Sequence, residues 1–228
     1  MQADDILKKL KKLASPKNIE GMARFGIKPK KAIGVSIPNL RKLAKEIGKD
    51  HVLAQELWDS GIHEAKILAS MIDKIELVTK KQMDSWIKDF DSWDVCDQVC
   101  MNLFDKTLFA FEKAIAWTKN ELEFERRAGF ALMASLAFHN KTFSDEKFLD
   151  FFPFIKKYSF DERNYVRKSV NWALRQIGKR NINLNKLAIE KAKEILKIDS
   201  KSAKWIASDA IRELTSEAIQ TRLKKVCR

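Results

Sequence analysis

The sequence predicts an all-α protein, an α-α superhelix in which short helices pair and stack into a curved solenoid. Three observations carry this expectation. Five of the seven glycines and three of the four prolines fall within the first 61 residues, so the long remainder, broken only by Gly129, Gly178 and Pro153, must be mostly helical. Residues that open helices recur at short intervals along the chain. Segments rich in alanine and aliphatic side chains return every roughly 30 to 40 residues, the period of paired-helix repeats.

Taken in order, an amphipathic helix is expected over 4–14. Ser15-Pro16 then opens a second, with a capping hydroxyl followed by proline at the first helical position. Phe25 to Ile37, reading FGIKPKKAIGVSI, is a basic loop. Pro38 to Ile47, stopped by Gly48, and Asp50 to Ser60, stopped by Gly61, form a compact pair. Further N-caps are expected at Thr79, Ser92, Ser144, Asp161 and Ser200. The recurring segments are EAKILASMI from Glu64, VCDQVCMNLF from Val95, RRAGFALMA from Arg126, RKSVNWALRQI from Arg167 and KWIASDAIREL from Lys204. Each pair can bury its apolar face only against its neighbours, which curves the stack and leaves it a concave side.

No stretch of the 228 residues reads as a linker, so a single domain over 1–228 is expected. Lysine and arginine total 44 against 31 acids, a formal charge of +13 spread among apolar residues, which predicts a folded basic surface and a polyanionic partner. No apolar run approaches the ~20 residues of a membrane helix, and the start MQADDILKKL carries acids where a signal peptide carries bases, so a cytoplasmic protein is expected. Cys96 and Cys100, four apart on a helix, and Cys227 near the end suit neither a disulfide framework nor a zinc site and read as buried thiols. His51, His63 and His139 form no metal pattern.

The most informative helix is expected from Asp161 to Lys179, where Val166, Val170, Ala173, Leu174 and Ile177 share one side. Trp172 projects away from that stripe, with Lys168, Arg175 and Lys179 as its angular neighbours, so it reads either as an exposed indole among cations or as one covered by the next repeat. In FDSWDVCDQVC, Trp93 and Asp97 are one turn apart beside a buried stripe of Val95, Cys96, Val99 and Leu103. Spacing alone makes these a partly buried indole and a solvated or salt-bridged acid. Arg126 and Arg127 enter a helix that is otherwise apolar all round, and a buried arginine needs a partner, either a structural acid or a phosphate.

Five blocks, FGIKPKKAIGVSIPNLRKLAKEIG, LWDSGIHEAKILASMI, DFDSWDVCDQVC, RRAGFALMA and NYVRKSVNWALRQIGKR, together resemble the AlkD-like DNA alkylation repair proteins over nearly the whole chain. Those proteins are HEAT-like repeat glycosylases that excise alkylated purines from duplex DNA. The resemblance implies HEAT-like helix pairs with a basic concave groove, and Trp93 and Trp172 as aromatics cradling the deoxyribose backbone. It also implies Asp97 as the catalytic carboxylate, and Arg127, with Arg126 adjacent as the alternative, near the active site. Arg126, Arg163, Arg167, Lys168, Arg175, Lys179 and Arg180 are then the expected DNA-binding cations. The lesion is expected to stay stacked, so no deep base pocket is needed, and the resemblance implies neither metal nor nucleotide cofactor. A monomer is expected. Two rivals stand beside the enzyme: a non-catalytic DNA-binding relative and a protein-binding scaffold, the latter giving no reason for an indole among cations.

Overall fold

The computed structural model describes residues 2–27 and 30–226, so Lys28 and Pro29 of the basic loop, and Cys227, lie outside the described residues. All regular structure among them is helical. The chain divides into two compact units, Met1–Thr107 and Leu108–Arg228.

In the first unit α1 is Ala3–Lys12, α2 Pro16–Arg24, α3 Ile37–Ile47, α4 His51–Asp59, α5 His63–Ile72, α6 Lys80–Trp86 and α7 Trp93–Asn102. Short 3-10 turns occupy Ile75–Leu77, Ile87–Asp89 and Phe104–Lys106. The expected caps act at Ser15 and Thr79, whose side chains accept from Asn18 N and Gln82 N, and Asp50, expected as the first residue of its helix, is its cap and accepts from Leu53 N. α5 is the central helix, with all but one of its ten residues buried. The repeat is visible as a register of hydrogen bonds between residues 31 or 32 apart. Trp58 Nε1 donates to Asp89 at 2.9 Å, His63 Nε2 meets Asp94 at 2.8 Å, and Asn102 donates to Ser70 Oγ at 3.2 Å. Beneath them Trp58 and Trp86 stack face to face, 3.9 Å between centroids.

In the second unit α8 is Ala110–Trp117, α9 Glu123–His139, α10 Asp145–Leu149, α11 Phe152–Lys157, α12 Asn164–Gly178, α13 Ile182–Leu196, α14 Lys201–Leu214 and α15 Glu217–Val226. α9 is buried from Arg127 through Ala137, as its all-round apolar character requires. It passes so close to α8 that a Cβ at Gly129 would lie 2.7 Å from Thr118 N and 2.9 Å from Ala114 O. The stripe expected on α12 is the observed one: Val166, Val170, Ala173, Leu174 and Ile177 are fully buried. Here the repeat register is 38 residues, seen in Asn171 Nδ2 to Asp209 at 2.7 Å and in the Arg175–Glu213 pair.

Two expectations need correction. Asp161 does not cap α12, which starts at Asn164 after Arg163. Its carboxylate accepts instead from the guanidinium groups of Arg126 and Arg163 and from the Arg163 amide, the residue before the helix, and not from an amide in the first turn of α12. Ser92 and Ser144 do precede their helices, but their hydroxyls make no capping bond. Cys96 and Cys100 are buried, and burial pushes the Cys100 thiol well above its ordinary range, which makes it inert. No described helix is long and apolar enough to cross a membrane.

Candidate active site and nucleic-acid interface

α7 begins at Trp93, so the indole and Asp97 lie one turn apart on the helix. Val95, Cys96, Val99 and Cys100, together with Leu103 just beyond it, are fully buried. Trp93 and Asp97 are both half-buried. The Trp93 Nε1–H donates to the carbonyl oxygen of Phe25 at 3.0 Å, which ties α7 to the end of α2. Asp94, between them in sequence, meets the buried His63 ring.

These residues border a cavity of about 620 Å³ within the first unit, walled by α2, the 25–37 segment, α5 and α7. A groove without a deep pocket is the expectation from sequence, and the cavity departs from it. Its roof is held by Glu64, whose buried carboxylate accepts from Ile33 N at 3.0 Å and from Gly34 N at 2.6 Å. Gly34 has φ +80°, and a Cβ there would stand 2.2 Å from Ser15 O, so only glycine fits. Across this contact Ser15 N donates to Ile33 O at 2.9 Å and Asn18 Nδ2 to Gly34 O at 2.8 Å. Glu64→Ala leaves two amides without an acceptor, and a stability loss of about 2 kcal/mol is expected in urea denaturation. No measurable change would mean that other groups hold the segment.

In the second unit Trp172 is half-buried on α12. Of its three cationic neighbours Lys168 is exposed, whereas Arg175 and Lys179 both pair with Glu213 of α14, Lys179 at 2.8 Å. Burial pushes the Glu213 carboxyl up, but Lys179 and Arg175 outweigh it and hold the group below its ordinary range. The indole therefore sits beside one open cation and two neutralised ones, and not among three free charges.

The arginines expected to grip DNA are also largely committed within the fold. Arg126 donates to Thr118 O at 3.1 Å and to Asp161 at 2.7 Å, over the Tyr158 ring. Arg127 is buried and donates to Tyr165 O at 2.6 Å. Arg163 grips Asp161 through Nε at 2.9 Å and Nη2 at 2.6 Å. Arg180 reaches Ala137 O at 2.7 Å and Asn140 O at 2.6 Å and lies over Phe148. Arg167 lies 4.8 Å over the ring of Trp205, which is 39% exposed on α14. Lys168 and Arg167 are thus the most available members of the set.

Residues 6–214 match the family model described as DNA alkylation repair enzyme. The chain belongs to that family. No curated protein matches it. Among solved structures, one described as a new family of proteins related to the HEAT-like repeat DNA glycosylases with affinity for branched DNA structures is 21% identical. It covers 93% of this chain and 95% of its own with TM-score 0.78, which carries the fold. An engineered protein, 15% identical over 77% of this chain and 90% of its own, reaches only TM-score 0.41.

In this member of the DNA alkylation repair enzyme family, the structure brings Trp93 and Asp97 to one cavity wall of the first unit and sets Arg127 and Trp172 in the second. Sequence reasoning missed Trp205, although the angular arithmetic that sets Trp172 off the α12 stripe sets Trp205 off the Ala203, Ile206, Ala207 and Ala210 stripe equally well. It also missed that His63 pairs with Asp94, because a contact between helices 31 residues apart leaves no local signal.

Proposed function

We propose that this protein is a monofunctional DNA glycosylase that hydrolyses the N-glycosidic bond of purines alkylated at N3 or N7 in duplex DNA. The observation that carries this reading is the pairing of Trp93 and Asp97 on one wall of one cavity, in a chain of the DNA alkylation repair family. An N3- or N7-alkylated purine is cationic and departs as a neutral base, so no general acid is needed. As the C1′–N9 bond breaks, its electron pair goes to the base and the sugar becomes an oxocarbenium-like cation. Asp97 stabilises that charge and orients a water, whose oxygen bonds C1′ and whose proton passes through the carboxylate to solvent. The indole face of Trp93 packs the deoxyribose backbone beside Asp97 in the first unit; in the second unit Trp172 is a further aromatic for the DNA backbone, and the buried Arg127 holds the Tyr165 carbonyl of α12.

A second reading, a DNA-binding protein without base excision, is favoured by the likeness to the structure described as having affinity for branched DNA. Incubating duplex DNA that contains N7-methylguanine with the protein and measuring free base separates the two. Base release supports the glycosylase, and tight binding with no release supports the second reading.

Both readings predict a steep loss of duplex affinity with salt. Several phosphate contacts should weaken binding by at least about tenfold between 50 and 200 mM salt in fluorescence anisotropy. A flat response would remove DNA as the partner. Trp172→Ala is expected to lower affinity for the alkylated duplex by about 1–2 kcal/mol while leaving the unfolding midpoint nearly unchanged, because the half-buried ring contributes less to packing than to stacking on DNA. A large stability loss instead would assign Trp172 to the core.

A further inference from the structure

α12 and α14 run side by side in the same direction, because three contacts join residues a constant 38 apart. Arg167 lies over the Trp205 ring at 4.8 Å, Asn171 Nδ2 donates to Asp209 at 2.7 Å, and Arg175 pairs with Glu213. On each helix one tryptophan stands roughly 140–150° round from the centre of the buried stripe, Trp172 on α12 and Trp205 on α14. The two indoles therefore open to the same side of the second unit. Trp205 is in register with Arg167, which precedes Trp172 on α12. With about 1.5 Å of rise per residue and about 8–10 Å between helix axes, the two rings are roughly 12 Å apart.

Packing does not account for Trp205. Tryptophan is ordinarily well buried, with its N–H bonded, yet this ring is 39% exposed and its N–H meets no acceptor among the described residues. The Arg167 guanidinium braces the ring from one face, donates through Nη2 to Asn164 Oδ1 at 3.2 Å and pairs with no acid among the described residues. On the open side of the two helices Lys168 and Lys201 are exposed and likewise unpaired. The acids nearby are already matched: Asp199 by Lys204, and Asp209 by Arg175 and Arg212. Glu162 is turned to the start of α14, where it accepts from Ser200 Oγ and Ser202 N. What stays open is an indole with a free N–H among three cations that have no counter-charge.

We propose that Trp205, braced by Arg167, is a second backbone contact of the second unit, one that holds the undamaged strand flanking the nucleotide at Trp172. The chemistry is that of a sugar-phosphate chain: deoxyribose packs on the open part of the ring, and the indole N–H and the cations meet phosphate oxygens. Each base pair advances the helix axis by about 3.4 Å, so a separation of roughly 12 Å sets this contact about three base pairs from the one at Trp172. At that distance it reads neither the lesion nor the sequence and adds affinity for any duplex long enough to reach it. The inference rests on the DNA reading above and holds with or without base excision.

The test titrates the whole protein, Trp205→Leu, Trp205→Phe and Arg167→Gln by fluorescence anisotropy against a long duplex with N7-methylguanine at its centre. Two shortened duplexes, each ending just past the lesion on one side, are titrated alongside. On the long duplex Trp205→Leu should bind at least about fivefold more weakly than wild type, and Trp205→Phe, which keeps a ring, should stay within about twofold. The same loss is expected on a long duplex without damage. On one shortened duplex the gap between wild type and Trp205→Leu should close, because the flank is gone, and on the other it should persist. Arg167→Gln should reduce the salt dependence of binding by about one phosphate contact, and Trp205→Leu should leave it unchanged. Should Trp205→Leu fail to fold, Trp205→Gln, suited to an exposed helix position, takes its place. Equal affinity of wild type and Trp205→Leu for the long duplex would overturn the inference and leave the DNA reading standing. A loss that persists on both shortened duplexes would also overturn it, since the effect would then lie away from the flank. No binding of any duplex by wild type would remove the DNA reading itself, and the inference with it.

Discussion

Asp97→Asn should lower the rate of base release from an alkylated duplex by roughly 10²- to 10³-fold, about 2.7–4 kcal/mol of transition-state stabilisation, with duplex affinity almost unchanged. The amide keeps the size and hydrogen-bonding reach of the carboxylate but carries no charge to set against an oxocarbenium-like sugar. Asp97 is half-buried beside the Trp93 indole, where a charge acts through less water than at an open surface. Single-turnover release of N7-methylguanine, with anisotropy on the same duplex, separates chemistry from binding. A fall in both by the same factor would make Asp97 a binding residue, and no fall in either would remove it from the site.

Asp161→Ala is expected to produce the largest stability loss, about 3 kcal/mol or more by chemical denaturation. Arg126 Nη1 and Arg163 Nη2 both bond its Oδ2, at 2.7 and 2.6 Å, while Arg163 N and Nε bond Oδ1. The carboxylate is nearly buried, so its loss strands two guanidinium groups against the fold. Burial alone would push this carboxyl up, but the hydrogen bonds from Arg163 and Arg126 outweigh it and hold the group below its ordinary range. A depressed folded value contributes stability that is present above the unfolded value and lost as pH falls through the folded one. The gap between wild type and Asp161→Ala should therefore be full at neutral pH and narrow below about pH 4. A gap independent of pH would assign the effect to packing.

Much of the fold was legible because burial imposes periodicity. The stripes of α7 and α12 emerge from side-chain angles alone, and Ser15, Asp50, Thr79 and Ser200 cap helices because their side-chain oxygens satisfy amides three residues on. What escaped is what neighbouring helices supply. Arg175 and Lys179 look like free charges along α12, and only the next repeat brings Glu213 to neutralise them. Asp161 has the residue type of a cap, but Arg126 and Arg163 are stronger claimants. The amphipathic pattern of α2 predicts a helix and says nothing of what its apolar side faces, so the cavity was invisible. Trp93 and Asp97 were found by their spacing, and their roles by family resemblance.

Hydrolysis of a glycosidic bond in DNA by this protein is tested most directly by following the water. An N7-methylguanine duplex is incubated with the protein in ¹⁸O-labelled water, under conditions where unassisted depurination is slow, and the damaged strand is analysed by mass spectrometry. Wild type should leave an intact strand with an abasic site carrying one ¹⁸O at C1′, and Asp97→Asn should not. A strand that stays bound yet keeps its base in both proteins would contradict hydrolysis.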